Sequence, residues 1–489
     1  MKPSIQRIAF FLLIGLPVLL ALMPGCGGNE PLVRPSPTLT VTPMSQSTTA
    51  WSKTYGGVER VTQGYVMEST ATKANSIRQT SDGGYILAGD HEIDLLWIVK
   101  LNAYGAMQWQ EVFDIAPGEY VSVHLASDGG YMVATTTGTL GAGSRDVWLV
   151  KLNQSGNIQW SKTYGDRGYQ ELKSICPTSD GGAAMVMESP NSGYDLLLLK
   201  VDSKGDIEWK KVLNDKGVGN GMNVKFILQT AEGGYVMSGS ISIGGSGGVM
   251  MLKLDRNGNI LWQKVYQQEI QWGISGGGVA NSVDETVDGG YVLAGTTSLG
   301  AGGGDVFVLK LDQNGYIQWQ VIYGGVVEDE ANCISQTSDG GYVVAGATKS
   351  FGINGTYDFW VLKFDASGAI QWQKTYGGIG KEYAYFLSER AVAIQQTSDD
   401  GYILTGTSPS FDPEGTSVSK AWVLKLKNDG SIGYGCPAGI ETSTNTTLTS
   451  SNLTAKVISD IFVAPDVNIT VTSPNVIPSG GKARERNQC

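Results

Sequence analysis

One phrase returns seven times and constrains the fold more than any other feature. "QTSDGGYILAG" at Gln79–Gly89 is followed by "LASDGGYMVAT", "PTSDGGAAMVM", "QTAEGGYVMSG", "ETVDGGYVLAG", "QTSDGGYVVAG" and "QTSDDGYILTG". The residue after the glycine pair falls at 85, 131, 183, 235, 291, 342 and 402. A period of about 50 residues means one supersecondary unit stacked on copies of itself. The sixth unit, Cys333–Gly378, reads "CISQTSDGGYVVAGATKSFGINGTYDFWVLKFDASGAIQWQKTYGG". It holds four strand-like runs and no helical period. Asp-Gly and Asn-Gly between apolar runs are hairpin signals, and type I′ turns are expected there because glycine tolerates positive φ. With 67 glycines and only 17% charged residues, the 489-residue composition also suits a turn-rich all-β chain.

Both faces of "YVLAG", Tyr291 to Gly295, are apolar, as expected of a sheet covered on both sides. Short sheets sandwiched between similar sheets are blades of a β-propeller. Trp51 opens the body with "WSKTYGG", which is the fourth run of a unit with no first three before it. The seventh unit ends at "NDGSIGYGC", where its own fourth run is cut short. A ring closed by the amino-terminal strand explains both ends. The expected fold is therefore all-β, a seven-bladed β-propeller of four-stranded antiparallel blades over residues 51–436, with a β-solenoid as the alternative. In each blade the two short turns join strands 1–2 and 3–4 and share one end. The variable loops share the other.

The pattern "DGGYILAG…WLVKLNQSGNIQWSKTYG" resembles the repeats of exported bacterial and archaeal propeller-like lipoproteins, and more distantly the delta-60 repeat. The resemblance covers about 51–436 and implies the fold and an extracytoplasmic location, with no activity to carry over.

The amino terminus fits that location. "MKPSIQR" and the apolar "IAFFLLIGLPVLLALM" have the layout of a secretory signal. The run ends in "LMPGCGG", which resembles a lipobox and implies lipidation at Cys26, although Pro24 departs from the pattern. Residues 1–25 are thus expected as the signal, and Pro/Ser/Thr-rich 26–50 as a tether. An uncleaved apolar anchor is the competing reading. Either one places the body outside the cytoplasm, on the cell membrane or outer membrane. Residues 437–489 form a Ser/Thr/Asn-rich tail, expected to add a strand or stay flexible. Cys436 and Cys489 bracket it as a candidate disulfide, whereas Cys176 and Cys333 sit in strand positions and are expected to behave as small apolar residues.

Candidate chemistry divides unequally. Each copy of the repeated phrase has one turn acid: Asp82, Asp128, Asp180, Glu232, Asp288, Asp339 and Asp399. A calcium loop needs several oxygen ligands close together, so these read as turns and not as metal sites. Lys100, Lys151, Lys200, Lys253, Lys310, Lys363 and Lys425 recur in strand 3. A lysine in a strand packed on both faces needs a partner, and the turn acid of the same blade is expected to supply it. A ring of lysines binding an anion is the alternative. The tryptophans recurring in strands 3 and 4 are expected in the core.

Functional residues are expected among the enlarged loops at the diversified end. "QQEIQWGISGGGVAN" contributes Trp272, the only tryptophan outside the repeat, and "GGIGKEYAYFLSERA" contributes Glu382, Tyr383, Tyr385 and Arg390. "VERVTQGYVMESTATKA" is a third such loop. With only His91 and His124 and no nucleophile motif, no catalytic residue, metal or cofactor is assigned. The net charge of −11 argues against nucleic acid. The expected role is a membrane-anchored module that binds a surface glycan or a protein through its loop-rich face. The alternatives are a polysaccharide-acting enzyme with carboxylates near the channel, for which Glu328–Glu330 is an acidic loop of the solvated kind, and a structural surface component.

Overall fold

The computed structural model describes residues 50–432, except 57–58, 63–64, 69–71, 92–94, 190–194, 215–220, 244–245, 268–276, 299–302, 353–354, 378–389 and 410–418. It also describes 441–443, 448–449, 454–456, 462–464, 470–472 and 484–487. Seven antiparallel sheets follow one another around a ring. Blade 1 comprises Ser76–Gln79, Tyr85–His91, Leu95–Leu101 and Met107–Asp114 in simple up-and-down order. Blades 2 to 6 repeat that order. Blade 7 takes three strands from Arg390–Gln396, Tyr402–Ser408 and Lys420–Leu426, and its fourth is Trp51–Gly56, with Trp51 opposite Lys425 and Tyr55 opposite Ala421. The expected closure by the amino-terminal strand is what the chain adopts.

The hairpin turns differ from type I′. Gly83 N–H donates to Thr80 O at 2.9 Å, Thr80 N–H donates to Gly84 O at 2.9 Å, and only Gly83 has positive φ, at 78°. This is a type I turn followed by a left-handed residue, the three-residue hairpin loop. The strand 3–4 turns repeat it, with Gly105 at φ 72°. The two glycines of the phrase have separate reasons. The first takes positive φ. The second, Gly84, sits where a Cβ would lie 2.3 Å from Leu101 O on strand 3. In the seventh copy Asp400 occupies the left-handed position at φ 62°. Replacing Asp400 with Gly relieves that strain, and chemical denaturation should show a gain of about 0.5–1 kcal/mol. A loss of stability would sink this explanation of the turn.

Blades are held to each other by a repeated contact. Each strand-4 tryptophan covers the turn glycine of the next blade: a Cβ on Gly105 would meet the Trp51 ring at 2.8 Å, and Gly430 meets Trp372 in the same way at 2.9 Å. The same ring makes an edge contact with the tyrosine of the next blade's phrase, as in Trp51–Tyr85 at 5.8 Å and Trp319–Tyr342 at 5.7 Å. Trp160 has no such partner because Ala183 stands in the tyrosine position. The strand-3 tryptophans Trp97, Trp148, Trp360 and Trp422 are fully buried within the stack.

The tail adds more than one strand. Glu441–Ser443, Leu448–Thr449, Thr454–Lys456, Phe462–Ala464 and Thr470–Thr472 pair with the outer strands of blades 6, 5, 4, 3 and 2 in turn. Arg484–Asn487 then pairs with Trp51–Gly56 of blade 7. The chain thus travels back around the ring and adds a fifth strand to six blades. Outer strands carry open hydrogen-bond ladders, and short runs such as Thr-Val-Thr fit them.

Candidate functional site

The phrase that counts the blades also builds an ion pair in each. In blade 1, Lys100 Nζ lies 2.9 Å from Asp82 Oδ2 and donates to Leu101 O at 3.0 Å and to Gln108 Oε1 at 3.1 Å. The Leu101 carbonyl is available because the pairing of strands 3 and 4 slips by one residue between Lys100 and Leu101. All seven expected pairs form, at 2.7 to 3.1 Å. The lysine side chains are only 3 to 11% exposed. Burial opposes ionisation of Asp82, Asp288 and Asp339, but hydrogen bonds from the blade's lysine and threonine and from a glycine N–H outweigh it and hold each at about 2. In Lys425, burial lowers the ammonium and Asp399 offsets this only in part. With every ammonium committed to its own blade, the lysines are structural, and the anion-binding alternative loses its donors.

The innermost strands line an axial channel of about 320 Å3. Position by position, blades 1, 2 and 5 present Arg78, His124 and Asp284 to it. His124 meets Ser122 Oγ at 2.8 Å, and burial, then the nearby Arg78 charge, push its pKa well below the usual range. Burial raises the Asp284 carboxyl, although it accepts from Gln336 N–H at 2.8 Å and Ser335 Oγ at 3.3 Å. Asp284 is the one carboxylate in the described lining, so the two-carboxylate arrangement of a glycosidase is not found there. Cys333 also lines the channel and is half-buried, with Sγ 3.7 Å from Ile394 O, while Cys176 is buried and its thiol is pushed up to about 12 by burial. Among the described residues no cluster of His, Cys, Asp and Glu could hold a metal ion.

Of the residues singled out on the loops, Trp272, Glu382, Tyr383 and Tyr385 lie outside the described residues, as do Cys26, Cys436 and Cys489. Arg390 opens the innermost strand of blade 7, where its backbone pairs with Thr407. The loop after Trp51–Gly56 contains a hairpin of Glu59–Thr62 and Tyr65–Glu68. The acidic loop at 328–330 corrects the expectation of a solvated run. Glu328 pairs with Lys349 at 3.1 Å, but Asp329 is fully buried and accepts from Thr348 Oγ1 at 2.6 Å and Gly325 N–H at 2.8 Å.

Sequence reasoning missed a set of buried aspartates at the loop-rich end. Asp146, Asp305 and Asp358 begin the third strands of blades 2, 5 and 6, at 1% exposure or less. Asp146 Oδ2 accepts from Gly143 N–H at 2.9 Å, and burial raises its pKa. A Cβ on Gly165 would lie 1.6 Å from Asp146 Oδ1, and Gly324 stands in the same relation to Asp305. The glycine of "KTYGG" is therefore there to admit a carboxylate. The signal was the recurrent "DVWLV", "DVFVL" and "DFWVL". Asp146 and Asp329, through the Gly143 and Gly325 N–H groups, fix the loops they border.

Comparison with known proteins follows that architecture. No curated protein matches the chain. Solved structures with a similar fold include a protein of unknown function from Bacteroides caccae, 14% identical over 62% of this chain and 93% of that one, with a TM-score of 0.37. Another is Chaetomium thermophilum Sqt1 bound to the N-terminus of the ribosomal protein L10, 12% identical over 71% and 83%, with a TM-score of 0.42. A europium-containing methanol dehydrogenase is 10% identical over 71% and 80%, with a TM-score of 0.37. At these values none carries a functional argument. The family described as outer membrane protein assembly factor BamB matches residues 94–326 and 145–383, which together span more than half of the chain. On that match, and on the repeated blades that underlie it, the chain belongs to the outer membrane protein assembly factor BamB family.

Proposed function

We propose that this protein is an envelope module, held by a lipid on Cys26, that binds a protein partner through the loop-rich end of its ring. The observation that carries the reading is the asymmetry of the two ends. The turn end repeats one ion-paired hairpin in every blade, while buried aspartates such as Asp146 and Asp329 hold diversified loops at the other. A rigid scaffold bearing variable loops suits recognition. Membership in a family described as an assembly factor supports a protein partner over a glycan and supports an envelope location.

Photo-crosslinking in the native host tests the choice of face. A photoreactive residue at Glu328, on the loop-rich end, is expected to give a discrete protein adduct, and one at Gln313, in a strand 3–4 turn, is expected to give none. Equal adducts from both ends would overturn the reading. In the same cells Cys26→Ser is expected to abolish incorporation of radiolabelled palmitate, and undiminished labelling would remove the anchor.

A further inference from the structure

The turn end is repetitive, with two adjacent junctions that depart from the pattern. In five of the seven junctions a side-chain oxygen of one blade accepts from a backbone N–H of the blade before it. Ser398 N–H donates to Gln79 Oε1 at 2.8 Å, Ser338 to Gln396 at 2.7 Å, Val287 to Gln336 at 2.8 Å, Ala231 to Glu285 at 2.7 Å and Ser179 to Gln229 at 2.7 Å. The acceptor is the residue just before the threonine of the repeated phrase, so the glutamine of "QTSDGG" is a clasp between blades. Blades 2 and 3 lack it, because Leu125 and Pro177 stand in its place.

Between blades 1 and 2 this leaves a gap. A cleft of about 660 Å3 opens there, and Ser81 and Leu125 both line it. Among the described residues Ser81 N–H has no acceptor, unlike its counterparts at the five clasped junctions. Leu125 is 38% exposed, and Trp109 and Tyr131, whose ring centroids are 5.9 Å apart, form the apolar part of the wall. Asp82, ionised and half-exposed, also lines the cleft.

We propose that this cleft is a peptide-binding site that takes a glutamine side chain of a protein partner, flanked by apolar residues, in place of the missing clasp. The protein class of the partner rests on the binding-module reading above; the cleft itself does not. Four of the five clasps are glutamines, which shows what side-chain chemistry the site geometry accepts. Lys100, the cation in the cleft wall, is already paired with Asp82, so it offers no free positive charge to a carboxylate and the neutral amide is favoured. The apolar wall provides the surface on which the flanking residues lose water. A second site on the turn end would let the ring hold two segments at once, or two partners.

The test is a titration of the full chain, labelled with 15N-serine, using three blocked peptides: acetyl-Leu-Gln-Leu-amide, its Glu analogue and its Met analogue. The Gln peptide is expected to move the Ser81 amide resonance saturably, with the Met peptide about tenfold weaker, the size of one net hydrogen bond. The Glu peptide is expected to be weaker than the Gln peptide at pH 7. Leu125→Gln restores the clasp found at sibling junctions, so it should fold and should abolish the response, while Leu125→Ala should keep it. No response to the Gln peptide, equal binding of the Gln and Met peptides, undiminished binding by Leu125→Gln, or an equal shift with maltotriose would each overturn the proposal. Loop-face crosslinks from Glu328 would survive any of those results, so failure here is distinct from failure of the binding-module reading.

Discussion

A chain lacking residues 51–56 is expected to lose cooperative folding, because those six residues are the latch of the ring. Trp51 is 5% exposed and Tyr55 is fully buried. Trp51 Nε1 donates to Ala103 O at 3.1 Å, and Tyr55 Oη donates to Gly105 O at 2.5 Å, both in blade 1. Within blade 7, Trp422 Nε1 donates to Ser52 Oγ at 2.9 Å. The strand leads along the chain into blade 1, so the ring is closed within blade 7, where Trp51–Gly56 pairs with Lys420–Leu426 with no covalent link between the two strands in that blade. Trp51→Ala alone should cost about 3–5 kcal/mol, as for other large aromatic truncations in a core. Deletion should cost more, since it also exposes the outward ladder of Lys420–Leu426 and removes the partner of Arg484–Asn487. Hydrogen exchange should then rise first in blades 7 and 1. An unchanged unfolding midpoint with protection intact in those two blades would refute closure by this strand.

Acid should undo the blades through the repeated ion pair. The Asp82, Asp288 and Asp339 carboxyls are held at about 2 in the folded chain, below the unfolded aspartate value of about 3.9. A depressed folded pKa gives stability that is fully present above the unfolded value. That stability is lost as pH falls from about 4 through about 2. The carboxylates are half-exposed, so each pair is discounted to about 0.5–1 kcal/mol. The carboxyls of all six aspartate pairs are lowered in the folded chain, so these pairs weaken together as pH falls, for a total of about 3–6 kcal/mol if their contributions add.

Single substitutions separate the partners. Asp288→Ala leaves the Lys310 ammonium, 4% exposed, with only the Leu311 and Gln318 oxygens, and is expected to cost about 2 kcal/mol at pH 7. Lys310→Met leaves a half-exposed carboxylate and should cost less. The Asp288→Ala deficit should shrink toward zero as the wild-type carboxyl is protonated near pH 2. A deficit that is constant from pH 7 to pH 2.5 would show that the pair contributes through packing and not through charge.

Much of this fold is legible in the chain because a repeat converts one local reading into seven. The D-G-G turn, the strand-3 lysine and the strand-4 tryptophan each recur at a fixed offset, so their partners could be matched by counting alone. The same argument placed Trp51–Gly56 in blade 7. What counting could not supply was any contact between blades. The "Q" of "QTSDGG" looked like a turn residue until Gln396 was found accepting from Ser338 across a junction. Asp146 and Gly165 are 19 positions apart and meet only because strands 3 and 4 close side by side.

The sequence by itself determined the number of blades, the positions of the hairpins and the closing strand, since all three follow from local propensity and periodicity. Tertiary structure alone decided where the tail goes and where the pattern opens. The outer-edge ladders that capture Thr470–Thr472 and its fellows exist only once the blades are assembled. The cleft opens only once blades 1 and 2 stand side by side, which sets the Ser81 N–H opposite Leu125, a side chain with no oxygen to offer. Local residue preferences set each element, but the distance between two elements far apart in the chain is set by how the whole ring packs.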